Sequence, residues 1–176
     1  MLSITAYLII LSKLKLKTFT LQNAKDYCLL NNLNPENITE LILYKNQLTN
    51  ISGIRLFKNL EKLWLYNNKI TDISVLKNLK NLKSLSIANN NLTDISVIKY
   101  LNKLKQLNIS NNKIKDISVV KNLTELEILY INNLELESDQ IQYINSLNNL
   151  KELIYYKGFK DMSVLNKLNK NINIIK

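Results

Sequence analysis

The chain has 176 residues, 46% hydrophobic and 22% charged, with two Gly, one Pro, one Cys and no His, a composition that describes one folded domain and excludes disordered, collagen-like and linker-type chains. Without His there is no imidazole for acid–base work or metal ligation, and a lone Cys makes neither an internal disulfide nor a thiolate zinc site, so no metal and no cofactor is expected. The net charge of +10 rests on 24 basic residues, all lysine except Arg55, and the scarcity of the planar guanidinium fork argues against nucleic acid as the partner.

Met1 to Ser12 form an apolar run with its lysines after it and none before it. It is shorter than the roughly 20 residues of a membrane span, and it lacks the leading charge and small-residue cleavage site of a secretory signal. A cytoplasmic protein with no membrane span is therefore expected, with export as the alternative. Leu21 to Asn32 read as a short helix, with Asn23 near its start and Pro35 beyond its end. That helix should plug the open end of a repeat array that begins at Ile38, with Cys28 on its buried side, which makes residues 1–37 an N-terminal segment and helical cap.

From Ile38 the chain repeats. The segment beginning at Leu60 recurs in frame from Leu82 and from Leu104, a period of 22 residues. In the first copy the apolar skeleton is Leu60, Leu63, Leu65, Ile70, Ile73, Leu76 and Leu79. The L-x-L step alternates sides as a strand does, so Leu63 and Leu65 face a core while Trp64 and Tyr66 face away. One unit cannot cover its own leucines, whereas stacked units share a continuous core. Asn46, Asn68, Asn90 and Asn112 fall in one column, where side-chain amides can satisfy main-chain groups as the chain leaves each strand. Asp72, Asp94 and Asp116, each two residues before a Ser, read as turn or cap residues.

The pattern L-x-x-L-x-L-x-x-N-x-I/L-x-x-I, with Ile70-Thr71-Asp72-Ile73-Ser74 and its two later copies, resembles the leucine-rich repeat family. It is most similar to the 22-residue class of bacterial internalins and of a protein phosphatase 1 regulatory subunit. The resemblance covers about residues 38–176. It implies an α/β repeat solenoid, a right-handed leucine-rich-repeat horseshoe with a parallel concave sheet and short helices or turns on the convex side, carrying about six repeats. It also implies a non-catalytic protein-protein interaction scaffold, with an internalin-like surface or secreted adhesin or effector as the alternative.

The unit from Leu126 breaks the pattern. Leu134 takes the Asn position and the next unit begins at Leu150, two residues late. The insertion across 126–149 predicts a true helix with Ser138 as N-cap, Asp139 in its first turn, and Ile141, Ile144 and Leu147 on one face. Asn173-Ile174-Ile175 suits a last short strand. Charge divides along the same lines, net +7 over residues 60–123 and −5 over 124–154.

Register also lists the outward side chains. Between the two strand leucines come Ile42, Trp64, Ser86, Asn108, Tyr130 and Ile154, and just after them Tyr44, Tyr66, Ala88, Ser110, Asn132 and Tyr156. Exposed aromatics of this kind dominate binding hot spots. The expected anchors for another protein are Tyr44, Trp64, Tyr66, Tyr130 and Tyr156, with Ile42 and Ile154 beside them. The competing reading is that aromatics on neighbouring strands simply stack on one another. An enzyme built on the Glu125 to Asp139 carboxylates would lack a nucleophile, a partner base and a phosphate cradle.

Overall fold

The computed structural model describes residues 4–7 and 17–175, with side chains described from Lys17 onward. The reading of Met1 to Ser12 as an export segment falls largely outside these residues. Among the described residues, eight strands lie in sequence order in one open sheet, and every neighbouring pair is parallel. They are β1 (Ile4–Tyr7), β2 (Ile38–Ile42), β3 (Lys62–Trp64), β4 (Ser84–Ser86), β5 (Gln106–Asn108), β6 (Ile128–Tyr130), β7 (Glu152–Ile154) and β8 (Asn173–Ile175). The chain is an α/β repeat solenoid.

Strict register comes from the strict period. Leu41, Leu63, Leu85, Leu107, Leu129, Leu153 and Ile174 are successive partners across β2 to β8. The leucines of this row are buried, as are Leu43, Leu65, Ile87, Ile109 and Ile131 after them. The return path on the other side is made of short 3-10 turns at Ser52–Leu56, Ser74–Asn78, Ser96–Tyr100, Ser118–Asn122 and Met162–Lys167. Each sends one apolar residue, Ile54, Leu76, Ile98, Val120 or Val164, back into the core. Asp72, Asp94, Asp116 and Asp161 start these turns by accepting from the main-chain N–H two residues on, at 2.7–2.9 Å.

Two adjacent asparagines do different work in each regular unit. The first, Asn67, Asn89 or Asn111, takes the left-handed backbone region with φ of 54–59°, which Asn tolerates better than other residues with a Cβ. The second turns its amide inward. Asn90 donates to the carbonyls of Leu65, Ile87 and Ala88 and accepts from the N–H of Ile70. Asn112 does the same for Ile87, Ile109, Ser110 and Leu92. Asn68 donates to Leu43 and Leu65 and accepts from Asn46 and Leu48. Asn46, at the start of the column, is only half-buried and donates to its own unit at Tyr44.

The N-terminal cap is more than a helix. Strand β1 extends the sheet beside β2, and α1 (Leu21–Leu30) packs along the Ser52–Leu56 turn, where a preceding unit would place its own turn. Thr20 caps α1 reciprocally with Asn23, while Ala24 and Cys28 are its buried residues. Burial pushes the Cys28 thiol pKa up, which suits a packed and unreactive sulfur. Gly53 makes the docking possible. The period places it where later units carry Val75, Val97 and Val119, and a Cβ here would stand 2.3 Å from the Thr20 carbonyl oxygen.

The helix expected after Ser138 is shorter than the pattern implied. A 3-10 turn, Ser138–Gln140, leads into α2 (Ile141–Asn145), and the residue in the N-cap place is Glu137, with no side-chain cap bond. Ser138 is therefore inside the first turn and does not cap it. Ile141, Ile144 and Leu147 are all buried, as the face required.

Candidate functional site

The sheet's outer face is a grid fixed by strand register. One row runs Glu40, Lys62, Ser84, Gln106, Ile128, Glu152, and the next runs Ile42, Trp64, Ser86, Asn108, Tyr130, Ile154. A third, just past the strands, holds Tyr44, Tyr66, Ala88, Ser110, Asn132 and Tyr156. The rows bring large side chains together at two places and leave small ones between.

On the N-terminal side, the rings of Tyr44 and Tyr66 stack with centroids 4.7 Å apart and planes 5° from parallel. Burial pushes the Tyr66 phenol pKa up, and Tyr44 adds to the shift. Trp64 lies beside them, its indole N–H donating to Glu40 Oε1 at 2.9 Å. Glu40 thus orients the largest aromatic of the face. It sits in the outer row two residues before Ile42, and enumeration of that row would have found it. Ile42, Trp64 and Tyr66 are half-buried, and Tyr44 is 41% exposed.

On the C-terminal side, Tyr130 and Ile154 are half-buried partners on β6 and β7, and the Tyr130 hydroxyl lies 3.4 Å from Gln106 Nε2. Tyr156 is 60% exposed, with the Lys157 ammonium 5.7 Å from its ring centroid. It borders a groove of about 1170 Å³ near the last turn, lined also by Tyr155, Met162, Leu165 and Ile174.

Between these ridges Ser84, Ser86, Ala88 and Ser110 are buried despite facing outward. Small side chains there lie below their neighbours, so the face has a trough over β4 and β5. Three strand spacings separate β3 from β6, about 14 Å. Trp64, Tyr66 and Tyr44 form one wall, Tyr130 and Ile154 the other, and the expected anchors therefore divide into two groups. The trough's own lining carries no charge at Ser84, Ser86, Ala88, Gln106, Asn108 and Ser110.

Lys62 is the one lysine in these three rows. Three flanking lysines are spoken for: Glu61 pairs with Lys83 at 2.9 Å, and Glu127 pairs with Lys151 at 2.6 Å and Lys105 at 3.4 Å. The hydrogen bond from Lys151, and then that from Lys105, hold the Glu127 carboxyl below its ordinary range. Among the described residues no cluster of three or more His, Cys, Asp or Glu is placed to hold a metal ion. Among them also, no helix is long and apolar enough to cross a membrane.

Comparison with known proteins agrees with this architecture. A family model described as leucine-rich repeats, two copies, matches residues 36–78, 58–100 and 80–122. A crystal structure of an internalin from Listeria monocytogenes is 36% identical, with a TM-score of 0.73, over 80% of this chain and 41% of that one. A leucine-rich repeat protein of Leptospira interrogans is 27% identical, with a TM-score of 0.70, over 92% of this chain and 40% of the other. The chain thus spans about two fifths of the length of each. No curated protein matches it.

Proposed function

We propose that the chain, whose repeats match the leucine-rich repeat family and resemble those of an internalin, is a non-catalytic scaffold that binds another protein across its sheet face. The observation that carries this reading is the ridge formed by Trp64, Tyr66 and Tyr44. Three aromatics stand together outside the core, two of them half-buried, held by a ring stack and a side-chain hydrogen bond. Such residues lose little conformational freedom on binding and bury a large area, which is how hot spots form. The stack and the hydrogen bond would restrain these rings before any partner arrives, and preorganisation lowers the entropic cost of association. Tyr130, Ile154 and Tyr156 would contact the same partner beyond the trough.

The test is retention of cellular proteins by the wild type beside a Trp64→Ala/Tyr66→Ala variant of matched circular dichroism and melting temperature. The wild type should retain a protein that the variant loses, with affinity lowered by roughly 100-fold or more. Retention of the same set by both would move the site elsewhere. A cytoplasmic location belongs to the same proposal. The 36% identity to an internalin favours a second reading, a surface or secreted adhesin. Fractionation of the native cell separates the two, because an adhesin is recovered with the envelope or medium.

A further inference from the structure

The face opposite the sheet carries a charge pattern that the protein-binding reading leaves unused. Arg55, Lys77, Lys99 and Lys121 recur at the 22-residue period, each near the end of its 3-10 turn and each exposed. The four turns pack in series, so these cations form one column. Lys80 and Lys103 add charge beside it. Lys80 donates to the Tyr100 carbonyl and Lys103 to Asn81 Oδ1, and among the described residues none of the six pairs with a carboxylate. The acids that open these turns are engaged with serine N–H groups. The column stops where the next unit turns acidic, at Glu125 and Glu127.

Six cations against the three carboxylates of Asp72, Asp94 and Asp116 leave this face net positive, which favours an extended anionic surface. The neighbouring apolar groups say which kind. Tyr100 is 45% exposed, with the Lys80 and Lys99 ammonium groups 4.7 and 5.1 Å from its ring centroid. On α1, which packs along the first turn of the column, Leu29 and Leu30 are 83% and 81% exposed. Two leucines standing free of the core have no use against nucleic acid, whose phosphates also favour Arg. They suit the boundary between headgroups and acyl chains, where Tyr is also at home. Lysine serves as well as Arg in the diffuse attraction to anionic lipid.

We propose that the turn face docks on an anionic lipid bilayer through the Arg55–Lys77–Lys99–Lys121 column, with Leu29 and Leu30 seated in the interface, leaving the sheet face directed away from it. The full chain, sedimented with phosphatidylcholine vesicles containing or lacking phosphatidylglycerol, should bind only the anionic ones, and less as salt rises. Lys77→Gln/Lys99→Gln/Lys121→Gln should weaken partitioning by roughly 100-fold. Lys69→Gln/Lys113→Gln/Lys157→Gln, with the same net charge but changed on the loops after the strands, should change it by no more than about threefold. Leu29→Ser/Leu30→Ser should remove the binding that survives high salt. Circular dichroism of each variant confirms folding, and Trp64→Ala/Tyr66→Ala should bind vesicles as the wild type does, which keeps this test independent of the sheet-face partner. Equal losses in the two lysine triples would reduce the effect to net charge and overturn the proposal. So would an absence of binding to anionic vesicles, or duplex DNA displacing the protein from them at lower concentration than soluble anionic lipid headgroup.

Discussion

The regular units from Leu60 to Leu123 and the irregular unit from Leu126 are joined to their neighbours by different means. In the regular units a side-chain amide bridges successive turns of the solenoid, and Asn90 bonds to four main-chain groups. In the irregular unit Leu134 is buried in the corresponding place and cannot donate or accept through its side chain. Main-chain bonds there run forward to the next unit, with Glu135 and Leu136 N–H groups donating to the carbonyls of Lys157 and Gly158, and Lys160 N–H donating back to Leu136. Gln140, from a buried position, adds a side-chain bond back to the preceding unit by accepting from Ile117 N–H at 3.0 Å. The comparison teaches that the asparagine ladder ends where the chain gains two residues and a helical turn, and that main-chain bonds and Gln140 tie that unit to its neighbours instead.

Substitutions sharpen this contrast, and the largest effects belong to the buried groups. Asn90→Ala leaves the Ile70 N–H without its partner and takes one of two donors from each of the Leu65, Ile87 and Ala88 carbonyls, and should cost about 2–3 kcal/mol in urea denaturation. Asn46→Ala, at the open start of the column, should cost under about 1 kcal/mol. Similar losses at both positions would mean the column stabilises through something other than satisfying buried groups. Leu85→Ala should cost about 2–5 kcal/mol, as for any well-packed core leucine.

Gly53→Val installs the residue that the later units carry at the same register, yet it drives a side chain into the Thr20 carbonyl. We expect a loss of about 2–3 kcal/mol together with faster amide exchange throughout α1, because the helix can no longer seat. A neutral outcome would show that the cap docks independently of this contact. A smaller change is expected at Asn89, which holds a left-handed φ of 54°. Asn89→Ala should destabilise by roughly 1 kcal/mol and Asn89→Gly should be close to neutral, read from melting temperatures.

The smallest effect is electrostatic. Glu127 is held below its ordinary value of 4.5 by Lys151 and Lys105, so its contribution is present above that value and fades as pH falls through the lowered one. The wild-type melting temperature should therefore drop on acidification below about pH 4.5, and Glu127→Gln should make that part of the profile shallower. Identical profiles would leave the triplet of charges without thermodynamic weight.

Much of this molecule is legible in its sequence. The 22-residue period placed every strand from β2 to β6, and the apolar pattern resuming two residues late at Leu150 placed β7, because apolar positions that recur in frame must meet when units stack. Outward residues could be enumerated for the same reason, as strand periodicity alone assigns Trp64 and Tyr66 to the outer face. Less was legible where the period fails. The run at Ile4–Tyr7 has no repeat signature, so its addition to the sheet edge beside β2 went unread. Ser138 looked like a cap by residue type, yet the chain entered the turn one residue earlier through Glu137, since the actual start depends on how the segment seats on the core.

The sequence by itself determined the solenoid, its core columns, the asparagine column and the two sets of aromatics, because each arises from a local pattern repeated at fixed spacing. Only the tertiary structure decided that Tyr44 and Tyr66 stack, that Glu40 orients Trp64, that Gly53 receives the cap, and that the turn-face cations stand without carboxylate partners among the described residues. Those are relations between side chains or backbones in different units. Their geometry depends on rotamers and on how each unit settles against the next, which no single unit's pattern specifies.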